Sequence, residues 1–281
     1  MTTADLSWMV EDIVANVPGA LHAVVLSADG ISKGSTDGLT DADVRTISAA
    51  MAGMQSLSRA TARFAGPVQN WRWNQTLVEF EDGWVFVTEA GKGAYLAAAA
   101  APDVDLGAIS FRMQRLVARL GDQLTSAPRV SGAGAVTVDA QLAEDETSGG
   151  QGFVLAELDK AVAGVRGARH AVLLGTDGLP RGTTSGIGKD MADIISAAMS
   201  GLVAYSRATA QFAGGLQDTW RQTLVEFKHG WVFLIAAGEG AYLAASAEHD
   251  CDIETFVSRL ADAVPALNAA SAPQTGTVGH A

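Results

Sequence analysis

The sequence predicts an α+β fold (α/β in the broad sense), present twice in one chain, with an antiparallel sheet covered by helices in each copy. Three observations carry this. The first is internal repetition. IleSerAlaAlaMet at 47–51, Gly53, SerArgAlaThrAla at 58–62 and PheAlaGly at 64–66 recur as Ile195–Met199, Gly201, Ser206–Ala210 and Phe212–Gly214. ThrLeuValGluPhe at 76–80 and GlyTrpValPhe at 83–86 return at 223–227 and 230–233, after a loop one residue shorter. A unit of about 120 residues is a whole domain, because solenoid units run to about 20–50 residues. The second observation is element order: helix, two strands, long helix, three strands, helix. The third is the shortness of the turns between consecutive strands, which favours antiparallel pairing.

Each copy opens with an amphipathic helix. Leu6, Met9, Ile13 and Val17 fall at spacings of three and four, as do Val154, Leu158, Ala161 and Val165. An apolar run follows at 23–26 and 171–174, closed by AspGly at 29–30 and 177–178, a hairpin signal because the turn needs residues tolerant of positive φ. A weak strand comes next, at 31–34 and 179–183. The longest element runs from Asp41 to about Phe64, with Val44, Ile47, Met51, Met54, Leu57, Thr61 and Phe64 on one stripe. Its counterpart carries Met191, Ile194 or Ile195, Met199, Leu202, Tyr205, Thr209 and Phe212. Asp41 and Asp190 suit the exposed amides of the helix starts. A glycine in mid-helix costs about 1 kcal/mol relative to alanine. Its recurrence as Gly53 and Gly201 implies a close neighbour, either the domain's own sheet or a helix of a partner domain.

Three strands rich in Val, Phe, Trp, Tyr and Leu are expected at 76–80, 84–90 and 94–100, and again at 223–227, 231–237 and 241–247. The closing helices carry Leu106, Ile109, Met113, Leu116 and Leu120, then Ile253, Phe256, Leu260 and Leu267. Residues 1–124 form the first domain and 153–270 the second. Residues 125–152, rich in Gly, Ser and acids, are expected to be a flexible linker reaching about 26–32 Å, enough for side-by-side docking. Residues 271–281 are expected to be a disordered tail.

With 281 residues, 48% of them hydrophobic, the chain can bury one or two cores. A net charge of −12 leaves no basic stripe for nucleic acid. The single cysteine, Cys251, allows no internal disulfide. The N-terminus lacks a signal-peptide pattern and the alanine run at 97–101 is too short to span a membrane, so a cytoplasmic protein without membrane insertion is expected.

A search for catalytic chemistry ends without a constellation, and no enzyme, cofactor or metal is expected. GlyLysGly at 91–93 is no phosphate loop, since no helix follows and the second copy replaces Lys92 with Glu239. His22 and His170 occupy equivalent positions but have no second ligand at metal-site spacing. Glu79 and Glu226 recur within strands without a partner acid. Trp84 and Trp231 read as core or sheet-cover residues. Arg59 and Arg207, both in SerArgAlaThr beside the helix stripe, are the partner-binding candidates, because a guanidinium there can pair with a carboxylate or phosphate.

The element order, the AspGly hairpin, the long helix rich in small residues and the GlyTrpValPhe strand together resemble the roadblock (dynein light chain) family. The resemblance covers residues 6–124 and 153–268. It implies a five-stranded antiparallel sheet with helices on both faces, and pairing through the long helix and third strand into a continuous ten-stranded sheet. Ile47, Met51, Gly53 and Met54, with Ile195, Met199, Gly201 and Leu202, then lie at or near the seam. Family members usually dimerise between single-domain chains, so fusion here implies an intrachain pseudo-dimer with two unequal faces. The resemblance also implies a non-catalytic regulator or scaffold for a small Ras-like GTPase in bacterial signalling. A sensor kinase or other roadblock proteins are further possible partners. A small-molecule sensor and a purely structural assembly protein are the alternatives.

Overall fold

A computed structural model describes residues 6–66, 72–91, 93–120, 150–215, 219–238 and 240–271. The first half runs α1 (Ser7–Asn16), β1 (Ala20–Ser27), β2 (Ser32–Ser35), α2 (Asp41–Ala60), the single turn α3 (Ala62–Ala65), β3 (Trp73–Phe80), β4 (Gly83–Glu89), β5 (Ala94–Ala100) and α4 (Leu106–Leu120). The second half repeats it as α5 (Gly150–Val162), β6 (Ala168–Gly175), β7 (Pro180–Thr183), α6 (Lys189–Ala208), a 3-10 turn (Ala210–Ala213), β8 (Trp220–Phe227), β9 (Gly230–Ala236), β10 (Ala241–Glu248) and α7 (Ile253–Ser271).

Ten strands make one sheet in the order β2-β1-β5-β4-β3-β8-β9-β10-β6-β7, every neighbouring pair antiparallel. The two halves meet at β3 and β8, with Leu77 opposite Leu224 and Glu79 opposite Gln222. In an isolated half, β3 would be an eight-residue edge open to foreign strands; pairing satisfies its backbone. The remaining edges, β2 and β7, are only four residues long.

Side chains alternate across the sheet with the period of two that strands impose. Val24, Leu26, Val78, Val85 and Tyr95 face the layer of α2 and α6, and their equivalents join the same core, so one apolar cluster spans both halves. Ala23, Val25, Phe86, Leu96 and Ala98 face α1 and α4 on the opposite side. The second half covers that side separately with α5 and α7. The halves therefore share one core layer and keep two private ones.

Several boundaries differ from expectation. The long helices end at Ala60 and Ala208, four residues before the end of the apolar stripe. Buried Thr61 stops the first: its N–H is shared between the carbonyls of Leu57 and Ser58, and its hydroxyl donates to Ser58 at 2.8 Å. Thr209 makes the same hydroxyl bond to Ser206 at 2.7 Å. The third strands begin at Trp73 and Trp220, three residues early, because each indole is tied into the core. Helix α5 starts at Gly150, inside the stretch expected to be linker, and α7 includes Ser271. The rest of the linker, the tail beyond Ser271, and the Lys92 and Glu239 turn positions lie outside the described residues.

Candidate partner-binding surface

The residues of the expected seam divide into two sets by the direction they face. Ile47, Met51 and Met54, spaced by four and three, are buried in the shared layer, as are Ile195, Met199 and Leu202. The stripe continues to Ser58, whose hydroxyl lies 2.9 Å from Thr76 of β3, so this face looks down onto the sheet. Gly53 and Gly201 instead face the opposite helix. A Cβ on Gly53 would come within 3.0 Å of three ring atoms of Tyr205, and one on Gly201 would lie 2.7 Å from Leu57 Cδ1. Of the two neighbours considered for these glycines, the structure places the helix of the other half there.

A second, reciprocal contact lies beyond the helix ends. After Thr61 and Thr209 the chain crosses to the other half. Phe64 stacks on His170 with ring centroids 6.5 Å apart, and Phe212 on His22 at 6.1 Å. Both phenylalanines are almost fully buried. The crossing turns press so close that a Cβ on Gly83 would lie 2.9 Å from the Ala213 carbonyl, and one on Gly230 would lie 3.0 Å from that of Ala65. A Cβ there would come closer still to the Ala100 and Ala247 carbonyls of the same half, so the neighbouring strand and the crossing turn together exclude a side chain at the glycine of GlyTrpValPhe. The two imidazoles are desolvated, which lowers their pKa below the usual value, and Arg169 adds to the effect at His170.

Glu79 and Glu226 belong to the seam. Gln75 and Asn74 donate to Glu226 at 2.7 and 3.1 Å, while Gln222 donates to Glu79 and Arg221 lies 3.8 Å from it. Beneath the helices, each copy repeats a buried triad in which the hydroxyl of Thr76 or Thr223 accepts from Trp73 or Trp220 and bonds Ser58 or Ser206. Sequence reasoning missed these contacts. The repeat of Gln75 as Gln222 beside the recurring glutamates was the available signal.

Arg59 and Arg207 lie over equivalent aromatic pairs. The Arg59 guanidinium is 5.7 Å from the Trp73 ring and 5.8 Å from Tyr95; Arg207 has the same distances to Trp220 and Tyr242. Arg59 also pairs with Glu89 at 3.6 Å, where the second copy has Ala236. Each arginine is held by its own half at the end of its long helix. Trp84 is partly exposed with its indole 3.4 Å from the Pro102 carbonyl, and Trp231 packs at the edge of the α5–α7 core.

The outward faces of α2 and α6 form a joint surface of small residues. Ala49, Ser56 and Ala60 are exposed on one helix and Ala197, Ala204 and Ala208 on the other, with Gly53 and Gly201 between them. Ile194 and Tyr205, 52% and 40% exposed, stand where the first copy has Thr46 and Leu57. Two 20-residue helices offer a face about 30 Å long. Among the described residues, no cluster of three or more His, Cys, Asp or Glu could hold a metal, and no helix is long and apolar enough to cross a membrane.

The model of the Roadblock/LC7 domain matches this chain twice, over residues 6–100 and 154–247. The chain belongs to the Roadblock/LC7 family. A crystal structure of a Roadblock/LC7 domain from Streptomyces avermitilis is 32% identical and matches over 42% of this chain and 95% of its own, with a TM-score of 0.38. MglB of Myxococcus xanthus is 14% identical, with 41% and 92% covered and a TM-score of 0.36. The gliding protein MglB of Thermus thermophilus is 16% identical, with 47% and 97% covered and a TM-score of 0.39. No curated protein matches the chain. Both Roadblock/LC7 domains thus lie in one polypeptide, joined through β3, β8 and their long helices.

Proposed function

We propose that this tandem Roadblock/LC7 protein is a non-catalytic cytoplasmic regulator or scaffold that binds a small Ras-like GTPase in bacterial signalling. The observation that carries the reading is the joint α2–α6 face. It sets small exposed side chains beside the exposed Ile194 and Tyr205 and is underlain by a core common to both halves, so a partner meets a surface that is already ordered. Membership of both halves in the Roadblock/LC7 family supports a regulatory role.

The geometry favours positioning over chemistry. An arginine finger must reach out to a transferring phosphoryl group. Arg59 instead rests on Trp73 and Tyr95 and pairs with Glu89, and Arg207 rests on Trp220 and Tyr242. As partner-binding candidates they are better suited to contact a carboxylate at the rim of the face. Any acceleration of hydrolysis then comes from ordering the GTPase's own residues.

The test is retention of a Ras-like GTPase encoded beside this protein, loaded with GDP or a GTP analogue. Retention should depend on the nucleotide, and Ser56→Glu with Ala204→Glu, both at exposed positions, should abolish it without lowering the melting temperature. Absence of retention in both nucleotide states overturns the reading.

A further inference from the structure

The two halves are related by a pseudo-twofold axis, yet the ends of the central sheet carry opposite charge. At one end, the turn after β8 meets α3 of the first half and the end of β10 around a hollow of about 510 Å³. Ala62, Ala65 and Phe227 supply an apolar floor. Arg72, Arg169, Lys228, His229 and His249 supply cationic and titratable groups, set against the two carboxylates of Glu248 and Asp250. A second hollow of about 340 Å³ shares Ala62, Arg72 and Phe227 and leads to Arg59.

The equivalent positions in the other half provide an internal comparison. Leu21 stands for Arg169, Glu81 for Lys228, Asp82 for His229, Thr219 for Arg72 and Pro102 for His249. That end therefore carries Glu81, Asp82 and Asp103 at these positions and no cation, with Arg221 reaching Glu81 from the neighbouring strand at 3.7 Å. The folds are the same and the charge is reversed, so backbone architecture does not require the cations.

Arg169 is the central group. Its side chain is 27% exposed and its Nη1 lies 3.0 Å from Glu248 Oε1, while its Nε is buried without a hydrogen-bond partner among the described residues. A buried donor left unmade costs about 1–3 kcal/mol, and the hollow beside it is within the size range of small-molecule sites. Lys228 and Arg72 form no ion pair among the described residues.

We propose that this end of the sheet binds a small organic anion, a phosphate or carboxylate carried on an apolar body. The anionic group lies among Arg169, Lys228 and Arg72, and the apolar body lies on Ala62, Ala65 and Phe227. The site is built by both halves, so occupancy strengthens their pairing, and the acidic end stays empty. It is independent of the GTPase reading.

The experiment is calorimetric titration of the full chain with phenyl phosphate, benzoate, inorganic phosphate and phenol. At least one of the two aromatic anions should bind at one site per chain and tighter than both inorganic phosphate and phenol; which one does so identifies the anionic group. Arg169→Leu with Lys228→Glu installs the residues the other half already tolerates. It should weaken binding at least about tenfold, the loss expected for charge-assisted hydrogen bonds. Leu21→Arg with Glu81→Lys should leave the original site unchanged. Failure of both aromatic anions to bind the wild type overturns the proposal, as does undiminished binding by the Leu/Glu variant.

Discussion

Tyr205 of the second half lies with its ring over Gly53 of the first, so closely that no side chain fits between the two helices. The reciprocal contact is softer, since Gly201 meets only the tip of Leu57. The pseudo-symmetric seam therefore tolerates substitution unequally. Gly53→Ala gains about 1 kcal/mol of helix propensity but must displace an aromatic ring, an overpacking cost of about 1–3 kcal/mol. Gly201→Ala gains the same propensity and needs only a rotation of Leu57. Urea denaturation should show a lower midpoint for Gly53→Ala and an unchanged or higher one for Gly201→Ala.

The crossing turns impose a pH dependence. Burial holds His22 and His170 below the usual 6.5, so the unfolded chain takes up protons first as the pH falls. Stability from these groups is complete above that value and declines as pH falls through it toward the folded-state pKa. The urea midpoint should drop on going from about pH 7.5 to about 5.5. His22→Gln with His170→Gln should flatten the slope over that window.

Glu226 accepts from two side chains of the opposite half, Gln75 and Asn74, in a partly buried setting. Glu226→Ala leaves those amides without their acceptor and should cost about 1–3 kcal/mol. In a double-mutant cycle with Gln75→Ala the losses should be less than additive, which chemical denaturation can resolve.

Thr76 joins Trp73 to Ser58 with a single buried hydroxyl. Thr76→Val keeps the shape and strands an indole N–H and a serine, an expected loss of about 1–3 kcal/mol. Tryptophan emission should shift as the indole loses its acceptor.

Most of the fold was legible because it rests on local patterns. The stripe of Ile47, Met51 and Met54 gave the long helix its buried face, and GlyTrpValPhe marked a strand twice. The crossing turns were hidden for a physical reason: Phe64 extends the stripe of α2 in spacing, and only the capping geometry of Thr61 sends it to the other half. Likewise Glu79 and Glu226 read as isolated acids because their amide partners lie across the seam. The charge reversal between Leu21 and Arg169, and between Glu81 and Lys228, is plain in the aligned copies. It acquires meaning only when the fold brings these positions around one hollow.

Pairing of β3 with β8 within one chain is what unites the two halves. Hydrogen exchange on a monomeric fraction of the 28.9 kDa chain tests it directly. Amides of both strands should exchange as slowly as those of β5 and β10, because strands at the centre of a sheet open only with global unfolding. Rapid exchange along one edge of both β3 and β8, with β5 and β10 still protected, would mean two independent halves and would contradict the continuous sheet.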